Sequence, residues 1–294
     1  MKVEEYLIKN KNITDLSNFK TLAFSKYYFE ISDKKDIDKI SEINNFAKLN
    51  NLKILFIWWW TNLFFAFEKF NWIVVKNCLQ WWEYDKKNMI LKSNSSELIS
   101  NIAEKLFYDG QVIWKRFIWL PWSIWWAVFW NAWCFWLEIE NNFIEAEVLN
   151  IETWKISVFN KSEMMFEYRN SIVKKKWRFF IINIKFDLSK IIEKYSSDID
   201  NLYFREYKQP KGNSCGSFFK NPSKENSAWN LIEKVWLKWY NIWWAYFSKL
   251  HSNFIITKDN SDYKDLLKLI ELWQKKVNMK FNIELIPEVR IIYN

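Results

Sequence analysis

The stretch LPWSIWWAVFWNAW, from Leu120 to Trp133, contains five tryptophans and no glycine. Its proline, serine and asparagine are typical of a loop, whereas bulky indoles are poor choices where a chain turns sharply. With glycine in place of each tryptophan, the stretch reads LPGSIGGAVFGNAG, and the backbone N–H groups of such a turn can approach a phosphate closely. The stretch therefore predicts a phosphate-binding loop whose tryptophans stand where glycines belong.

The composition of the whole chain points the same way. The chain has 3 glycines and 22 tryptophans in 294 residues, whereas average usage of about 7% predicts roughly 21 glycines. The missing glycines therefore match the excess of tryptophan. We predict that the gene belongs to a code in which UGA means glycine, and that UGA has been read as tryptophan.

Charge, histidine and cysteine limit the sites that the chain can build. The chain has 43 Lys and Arg against 34 Asp and Glu, a net charge of +9, and its only histidine is His251. A multi-histidine metal centre is therefore excluded. Its three cysteines do not make a disulfide scaffold, and no signal-peptide pattern begins the chain, so we expect a cytoplasmic protein. The basic charge is most simply a lysine-rich surface.

The sequence as written offers an alternative of another class. The 21 residues from Phe117 to Leu137 carry no charge and are long enough to span a bilayer. A Trp-rich protein of the membrane interface, or one that binds carbohydrate, is the matching interpretation. Pro121, Ser123 and Asn131 interrupt the segment, and the chain has no second comparable span, so we expect no stable membrane insertion.

Periodicity predicts an α+β protein. The spacing of apolar residues predicts helices over Asp36–Asn50, from Ser95 or Ser96 to Tyr108, over about Ser227–Val235 and over Ser261–Val277. Ser32 or Asp33 is the candidate cap of the first helix, and Ser95 or Ser96 of the second. β-prone runs lie between the helices, and Phe281–Ile286 is predicted as a strand near the end of the chain.

A second turn of the same kind follows a predicted buried strand over Leu52–Ile57. It reads WWWTNL from Trp58 to Leu63, or GGGTNL with glycine in place of tryptophan. Neither turn matches the G-x-G-x-x-G dinucleotide fingerprint or a P-loop, which disfavours a Rossmann or kinase interpretation.

The order of the motifs resembles the UDP-N-acetylenolpyruvoylglucosamine reductase family, in its shorter subtype. The resemblance runs from about Asn51 to Arg290. It rests on the two turns, on YRNS at Tyr168–Ser171, on GSFFKNP at Gly216–Pro222, on Leu237–Phe254 read as LKGYNIGGAYFSKLHSNF, and on PEVR at Pro287–Arg290.

The resemblance implies a fold and an activity. The fold is an FAD-binding domain of the PCMH/vanillyl-alcohol-oxidase type with a C-terminal α/β substrate-binding lobe. We expect an N-terminal FAD-binding subdomain at 1–66, completed by 283–294, a second at 67–209, and the substrate domain at 210–282. The implied activity is NADPH-dependent, FAD-mediated reduction of UDP-N-acetylglucosamine enolpyruvate to UDP-N-acetylmuramate for peptidoglycan, by a cytoplasmic monomer that binds no nucleic acid.

The resemblance also implies roles for individual residues. Ser217 supplies a proton to the carbon left electron-rich by hydride addition, while Arg169 and Glu288 act at the substrate carboxylate and the enolic intermediate. The implied substrate-binding residues are Tyr168, Lys208 and Asn221. The implied cofactor-binding residues are Trp58, Trp59, Trp60, Thr61, Asn62, Leu63, Pro121, Trp122, Ser123, Ile124, Trp126, Asn131 and Trp133.

Some residues depart from the family pattern. Trp114 does not align with a glycine, and we expect it to be a genuine tryptophan. Phe135 stands where the family often has tyrosine. We expect a structural role for His251. Another FAD oxidoreductase of the same domain type is the alternative within the enzyme class.

Overall fold

The expected α+β content is present in the computed structural model, which describes residues 3–58, 62–176, 178–190, 203, 206–207, 209–223, 225–235 and 240–294. The helices are α1 (Asp36–Leu49), α2 (Ile99–Tyr108), α3 (Ile124–Phe129), α4 (Ile139–Asn142), α5 (Ile172–Lys175), α6 (Ala228–Lys234) and α7 (Tyr263–Phe281). The strands are β1 (Ile8–Asn12), β2 (Phe24–Ile31), β3 (Ile54–Ile57), β4 (Leu63–Phe65), β5 (Lys69–Asn77), β6 (Trp82–Asp85), β7 (Ile90–Asn94), β8 (Trp133–Cys134), β9 (Leu137–Glu138), β10 (Phe143–Asn150), β11 (Lys155–Asn160), β12 (Phe179–Asp187), β13 (Asn241–Ile242), β14 (Ala245–Phe247), β15 (Ile255–Thr257) and β16 (Arg290–Ile292).

The strands pair mainly antiparallel. One sheet has the order β11-β10-β12-β7-β6, a second has the order β1-β2-β5-β3, and a third has the order β13-β14-β15. Strand β16 pairs parallel with β4 and sets Arg290 opposite Leu63. This pairing joins the end of the chain to β4 within unit 2.

The helices lie where apolar spacing places them. The Asp33 carboxylate accepts the Lys35 N–H at 2.8 Å in the turn that leads into α1, whereas neither Ser95 nor Ser96 caps α2. No side-chain hydrogen bond caps α1 or α2. At α1 the Asp36 carboxylate instead accepts the N–H groups of Ser32 and Asp33, both at 3.0 Å. Ser95 is buried, and its hydroxyl donates to the Ile181 carbonyl. A tertiary partner therefore takes the oxygen that a local cap would need.

The last helix is longer than its predicted range. Leu266, Leu269, Ile270 and Val277 are buried along one face, as expected. The helix continues to Phe281 and ends at Asn282 in a left-handed conformation, φ 53°. The predicted strand over Phe281–Ile286 is therefore wrong, because the amphipathic period runs on into it.

The residues divide into two compact units. Unit 1 comprises 1–6, 29–60 and 74–205, and unit 2 comprises 7–28, 61–73 and 206–294. The core of unit 2 gathers Phe19, Phe64, Phe218 and Trp273 with other apolar residues of the same unit. The expected division into three parts stays a prediction.

The uncharged segment over Phe117–Leu137 is not one helix. It contains part of a short 3-10 helix, the six-residue helix α3 and the β8–β9 hairpin. Among the residues described, no helix has both the length and the apolar character needed to cross a membrane.

Three β-hairpin loops carry tryptophan in a left-handed backbone conformation. Phe135 and Trp136 form the loop between β8 and β9, with φ 47° and 71°. Trp243 begins the two-residue loop between β13 and β14, with φ 47°, and Trp154 ends the loop before β11, with φ 59°. Tight hairpin loops need positive φ and favour glycine or asparagine there, whereas a bulky residue with positive φ is an outlier.

Candidate active site

The segment that carries Ser217 is paired on both sides by two other predicted motifs. Ser217 forms an antiparallel bridge with Phe254, and Phe219 forms one with Pro287. The Glu288 N–H donates to the Phe218 carbonyl at 2.7 Å. Three motifs that lie far apart in the sequence therefore meet within unit 2, and they set the backbones of Ser217 and Glu288 on neighbouring segments.

Backbone geometry positions Ser217. Gly216 precedes it with φ +88°, and a Cβ at Gly216 meets nothing within 4 Å. The positive φ therefore favours glycine at position 216, although there is room for a side chain there. Phe218 and Phe219 are buried in the core of unit 2, which fixes the chain after the serine. Ser217 itself is half-buried, and Glu288 is 9% exposed.

Asn253 holds the Ser217 segment, and the sequence analysis missed it. Its amide nitrogen donates to the Phe219 carbonyl at 2.8 Å, and its amide oxygen accepts the Phe219 N–H at 2.9 Å. His251 Nδ1 accepts the Asn253 N–H at 3.3 Å, which agrees with the expected structural role of the histidine. Burial lowers the pKa of His251. The position of Asn253 inside the SKLHSNF motif was the available signal.

The predicted substrate-binding residues have different surroundings. Tyr168 is exposed, with the Arg169 guanidinium 5.7 Å from its ring centroid. The Asn221 amide oxygen accepts the Ala228 N–H at 3.0 Å, at the start of α6. This contact gives Asn221 a structural role at the helix terminus. Lys208 lies outside the described residues.

Arg169 lies in a tight turn of unit 1. Glu167 and Asn170 close the turn with reciprocal backbone hydrogen bonds of 3.1 and 3.0 Å. Arg169 has φ 54°, and its carbonyl accepts the Lys174 ammonium at 2.7 Å. Arg169 is half-buried as a residue, and it is thus held in a turn whose backbone is fixed by hydrogen bonds.

The loop before α3 is held against the segment Ser95–Glu97. Ser123 caps α3, because its hydroxyl accepts the Trp126 N–H. The N–H groups of Ile124 and Trp125 donate to the Glu97 and Ser95 carbonyls, both at 2.8 Å. Pro121 is exposed, Trp122 is half-buried and Trp133 is exposed. The predicted phosphate-binding loop is therefore a defined turn that leads into a helix.

The first glycine-like turn is only partly described, since Trp59, Trp60 and Thr61 lie outside the described residues. In unit 2, the Asn62 carbonyl accepts the Arg290 N–H at 3.0 Å, and burial lowers the pKa of Arg290 to about 10. The Asn62 amide oxygen is buried and has no hydrogen-bond partner among the described residues. A buried oxygen of this kind is typical of an atom that meets a ligand.

In unit 1, indole rings fill the space between Trp58 and the turn before α3. The rings of Trp58 and Trp125 stack with centroids 3.7 Å apart, and Trp126 packs edge-on against Trp125. Trp126 is 1% exposed, and its indole N–H has no hydrogen-bond partner among the described residues. The backbone of the described turn before α3 suits a phosphate-bearing cofactor such as FAD. The site fits that cofactor with glycine at these positions and does not fit it with tryptophan.

Trp114, which we expect to be a genuine tryptophan, has different surroundings in the same unit. Trp114 is 0% exposed, and its indole N–H donates to the Asn142 side chain at 3.2 Å. Its ring packs edge-on against Phe117 and Phe186. Satisfied polar atoms and edge-to-face packing are typical of a residue selected for its site.

Comparison with known proteins yields one consistent set of relatives. Residues 207–292 match the family model described as "UDP-N-acetylenolpyruvoylglucosamine reductase, C-terminal domain". The reductase of that name from Prochlorococcus marinus is 28% identical over 96% of this chain and 98% of its own length. The one from Clostridium botulinum (strain Alaska E43) is 35% identical over 69% of this chain and 66% of its own length.

The fold has a matching crystal structure. The UDP-N-acetylenolpyruvylglucosamine reductase from Thermus caldophilus superposes with a TM-score of 0.78 at 19% identity. The match covers 98% of this chain and 100% of that one. The likeness extends over both units and the predicted FAD-binding and substrate-binding regions.

Proposed function

The chain belongs to the UDP-N-acetylenolpyruvoylglucosamine reductase family, and from this membership we propose that it reduces UDP-N-acetylglucosamine enolpyruvate to UDP-N-acetylmuramate with NADPH. FAD, when bound, supplies hydride transfer between NADPH and the enolpyruvyl double bond. The observation that carries the proposal is the pairing of the Ser217 segment with Phe254 on one side and with Pro287–Glu288 on the other.

We assign delivery of the proton to Ser217. Reduction of the double bond needs a hydride on one carbon and a proton on the other. A serine hydroxyl is a weak acid, so it needs a fixed position and a polar neighbour in order to act. The backbone of Glu288 lies on the segment beside it, and burial of the carboxyl strengthens any hydrogen bond that the group makes to substrate or serine.

We assign binding of the substrate carboxylate to Arg169. A guanidinium pairs with a carboxylate through two parallel hydrogen bonds and draws charge toward it as the hydride arrives. The fixed turn of Arg169 suits this role, because a preorganised cation stabilises developing charge without reorganisation.

The active form carries glycine at most of the tryptophan positions. The left-handed backbone at Trp119, Trp136, Trp154 and Trp243 supports this proposal. Among the described residues, 4 of 17 tryptophans adopt it, against 1 of 24 phenylalanines, Phe135. The satisfied surroundings of Trp114 support tryptophan there. Sequencing of peptides from the native protein tests both parts. Tryptophan at the four left-handed positions would contradict the proposal.

We further infer that the enzyme is a cytoplasmic monomer that binds no nucleic acid. All three cysteines are free thiols, which suits a reducing compartment. Light scattering of the purified protein tests the oligomeric state, and a dimer would contradict it.

The reaction is tested with the flavin spectrum of the glycine-bearing protein. We expect the visible flavin band to bleach with NADPH and to return when the enolpyruvyl substrate is added. Ser217→Ala is expected to bleach normally but to recover about 10²-fold to 10⁴-fold more slowly, because only proton delivery is lost. Ser223→Ala, an exposed change nearby, is the matched control. Bleaching that the substrate never reverses in the unmodified enzyme would overturn the reaction.

A further inference from the structure

A pair of carboxylates lies beside the turn that holds Arg169. The Asn131 amide nitrogen donates to Glu138 at 3.3 Å and to Glu140 at 3.1 Å. Asn131 is 1% exposed, and its amide oxygen accepts the Glu140 N–H at 3.2 Å. One buried amide therefore gathers both acids into a fixed cluster.

The same amide ties this cluster to the turn. The Asn131 amide nitrogen also donates to the Glu167 carbonyl at 3.3 Å. Glu167 begins the turn in which Arg169 lies, and Lys175 pairs with the Glu167 carboxylate at 2.8 Å. The two acids are thus fixed to the turn that carries Arg169 through backbone and amide contacts within unit 1.

Charge distinguishes the two acids. Burial, a hydrogen bond that Glu138 donates to Glu140, and the charge of Glu140 raise the pKa of Glu138 to about 7, against the opposing charge of Arg169. Burial opposes ionisation of Glu140 too, but hydrogen bonds from Glu138 and Asn131 and the ammonium of Lys161, 3.6 Å away, lower its pKa. The pair therefore binds one proton that is released as the pH rises through about 7, and that proton lies on Glu138.

We propose that Glu138 is a positioning residue for Arg169: neutral, it leaves the guanidinium charge to the substrate carboxylate, and ionised, it competes with that carboxylate. This inference rests on the proposed function, since it deepens the role of Arg169. The charged groups that act on Glu138, which ends β9, are, among the described residues, Glu140 on the adjoining helix α4 and Arg169 on the turn. Lys161, which follows β11, acts through Glu140.

The sign of the pH effect follows from this arrangement. Below about pH 7 Glu138 is protonated, and Arg169 keeps its full attraction for the substrate. As the pH rises, Glu138 becomes an anion that neutralises Arg169 and repels the substrate carboxylate. We expect KM for the enolpyruvyl substrate to rise about tenfold between about pH 6 and about pH 8, with little change in flavin reduction by NADPH.

Three variants of the full-length enzyme test this proposal. At the tryptophan positions, each variant carries the residues that peptide sequencing of the native protein finds. Glu138→Gln keeps a neutral amide in place, so its KM is expected to stay low and nearly constant across the range. Glu140→Gln removes the group that keeps Glu138 protonated, so the rise in KM is expected at lower pH. Glu152→Gln is the matched control, because it breaks an ion pair with another arginine, Arg178, at 3.2 Å.

Substrate binding to the oxidised protein provides a readout besides activity. Calorimetry in buffers of different ionisation enthalpy counts the protons exchanged on binding, and we expect uptake near pH 8 in the unmodified protein and none in Glu138→Gln. A Glu138→Gln enzyme with the unmodified pH dependence and the same proton uptake would overturn the inference. Failure of the unmodified enzyme to reoxidise with substrate would instead overturn the proposed function.

Discussion

Left-handed backbone identifies individual residues that the written side chain does not suit. An L-residue in this conformation brings its Cβ close to the following carbonyl oxygen, at a cost of about 1–2 kcal/mol. Asparagine tolerates the conformation, and Asn10, Asn51, Asn260 and Asn282 adopt it here. Tryptophan has no such local compensation. The strained tryptophans therefore give evidence for glycine that is independent of composition.

Trp243→Gly is expected to stabilise the protein as written by about 1–2 kcal/mol. The side chain is 81% exposed, so little packing is lost while the backbone strain at φ 47° is relieved. Urea unfolding measures the change. Trp114→Gly is the opposite case, since it removes a fully buried and hydrogen-bonded ring, and a loss of about 3–5 kcal/mol is expected. Equal effects at the two positions would contradict the assignment.

At the scale of elements, the Ser217 segment is held by pairing and by one side chain. It runs between the segments of Phe254 and Pro287 without belonging to a regular sheet. Its register therefore depends on a few contacts, of which the two amide hydrogen bonds of Asn253 are the most buried.

Asn253→Ala is expected to lower the free energy of unfolding by about 1–3 kcal/mol, because the N–H and C=O of Phe219 are left buried without partners. The same change is expected to slow flavin reoxidation by substrate more than flavin reduction by NADPH, since Ser217 loses its register. Chemical denaturation and the two half-reactions measure these effects. Asn226→Ala, on an exposed turn, should change neither quantity, and normal reoxidation in Asn253→Ala would show that the register does not depend on this amide.

At the scale of the whole molecule, the choice between tryptophan and glycine at these positions determines whether the FAD-binding region has space for the cofactor. In unit 1, the indoles of Trp58 and Trp125 stack and that of Trp126 packs edge-on against Trp125, and the rings occupy volume beside the turn before α3. Glycine at these positions removes the rings and restores the close approach of backbone to phosphate that such turns permit.

We expect the tryptophan-bearing chain to purify without flavin and to fold poorly, and the glycine-bearing chain to purify yellow. The visible absorption spectrum of each preparation measures bound flavin, and circular dichroism reports whether each chain is folded. A stoichiometric flavin band in the tryptophan-bearing chain would refute this expectation. A folded but colourless glycine-bearing chain would show that the FAD assignment is wrong.

The local features of this protein were largely readable from its sequence. The apolar face of α7, the turn at Gly216 and the identity of the family follow from residue types at short spacing. The helix caps were not readable, because Ser95 is buried and donates its hydroxyl to the Ile181 carbonyl instead of capping α2. Local propensity is a weak guide where a tertiary partner competes for the same atom.

The sequence by itself determined the order of the motifs and the shortage of glycine, and through its family resemblance it predicted the roles of Arg169, Ser217 and Glu288. Only the tertiary structure decided that the Ser217 segment lies between those of Phe254 and Glu288, that Asn253 fixes it, and that Glu138 and Glu140 gather beside the turn of Arg169. These contacts join residues far apart in the chain, so no local pattern encodes them. The backbone torsions at Trp136 and Trp243 are likewise set by strand pairing on both sides of each loop.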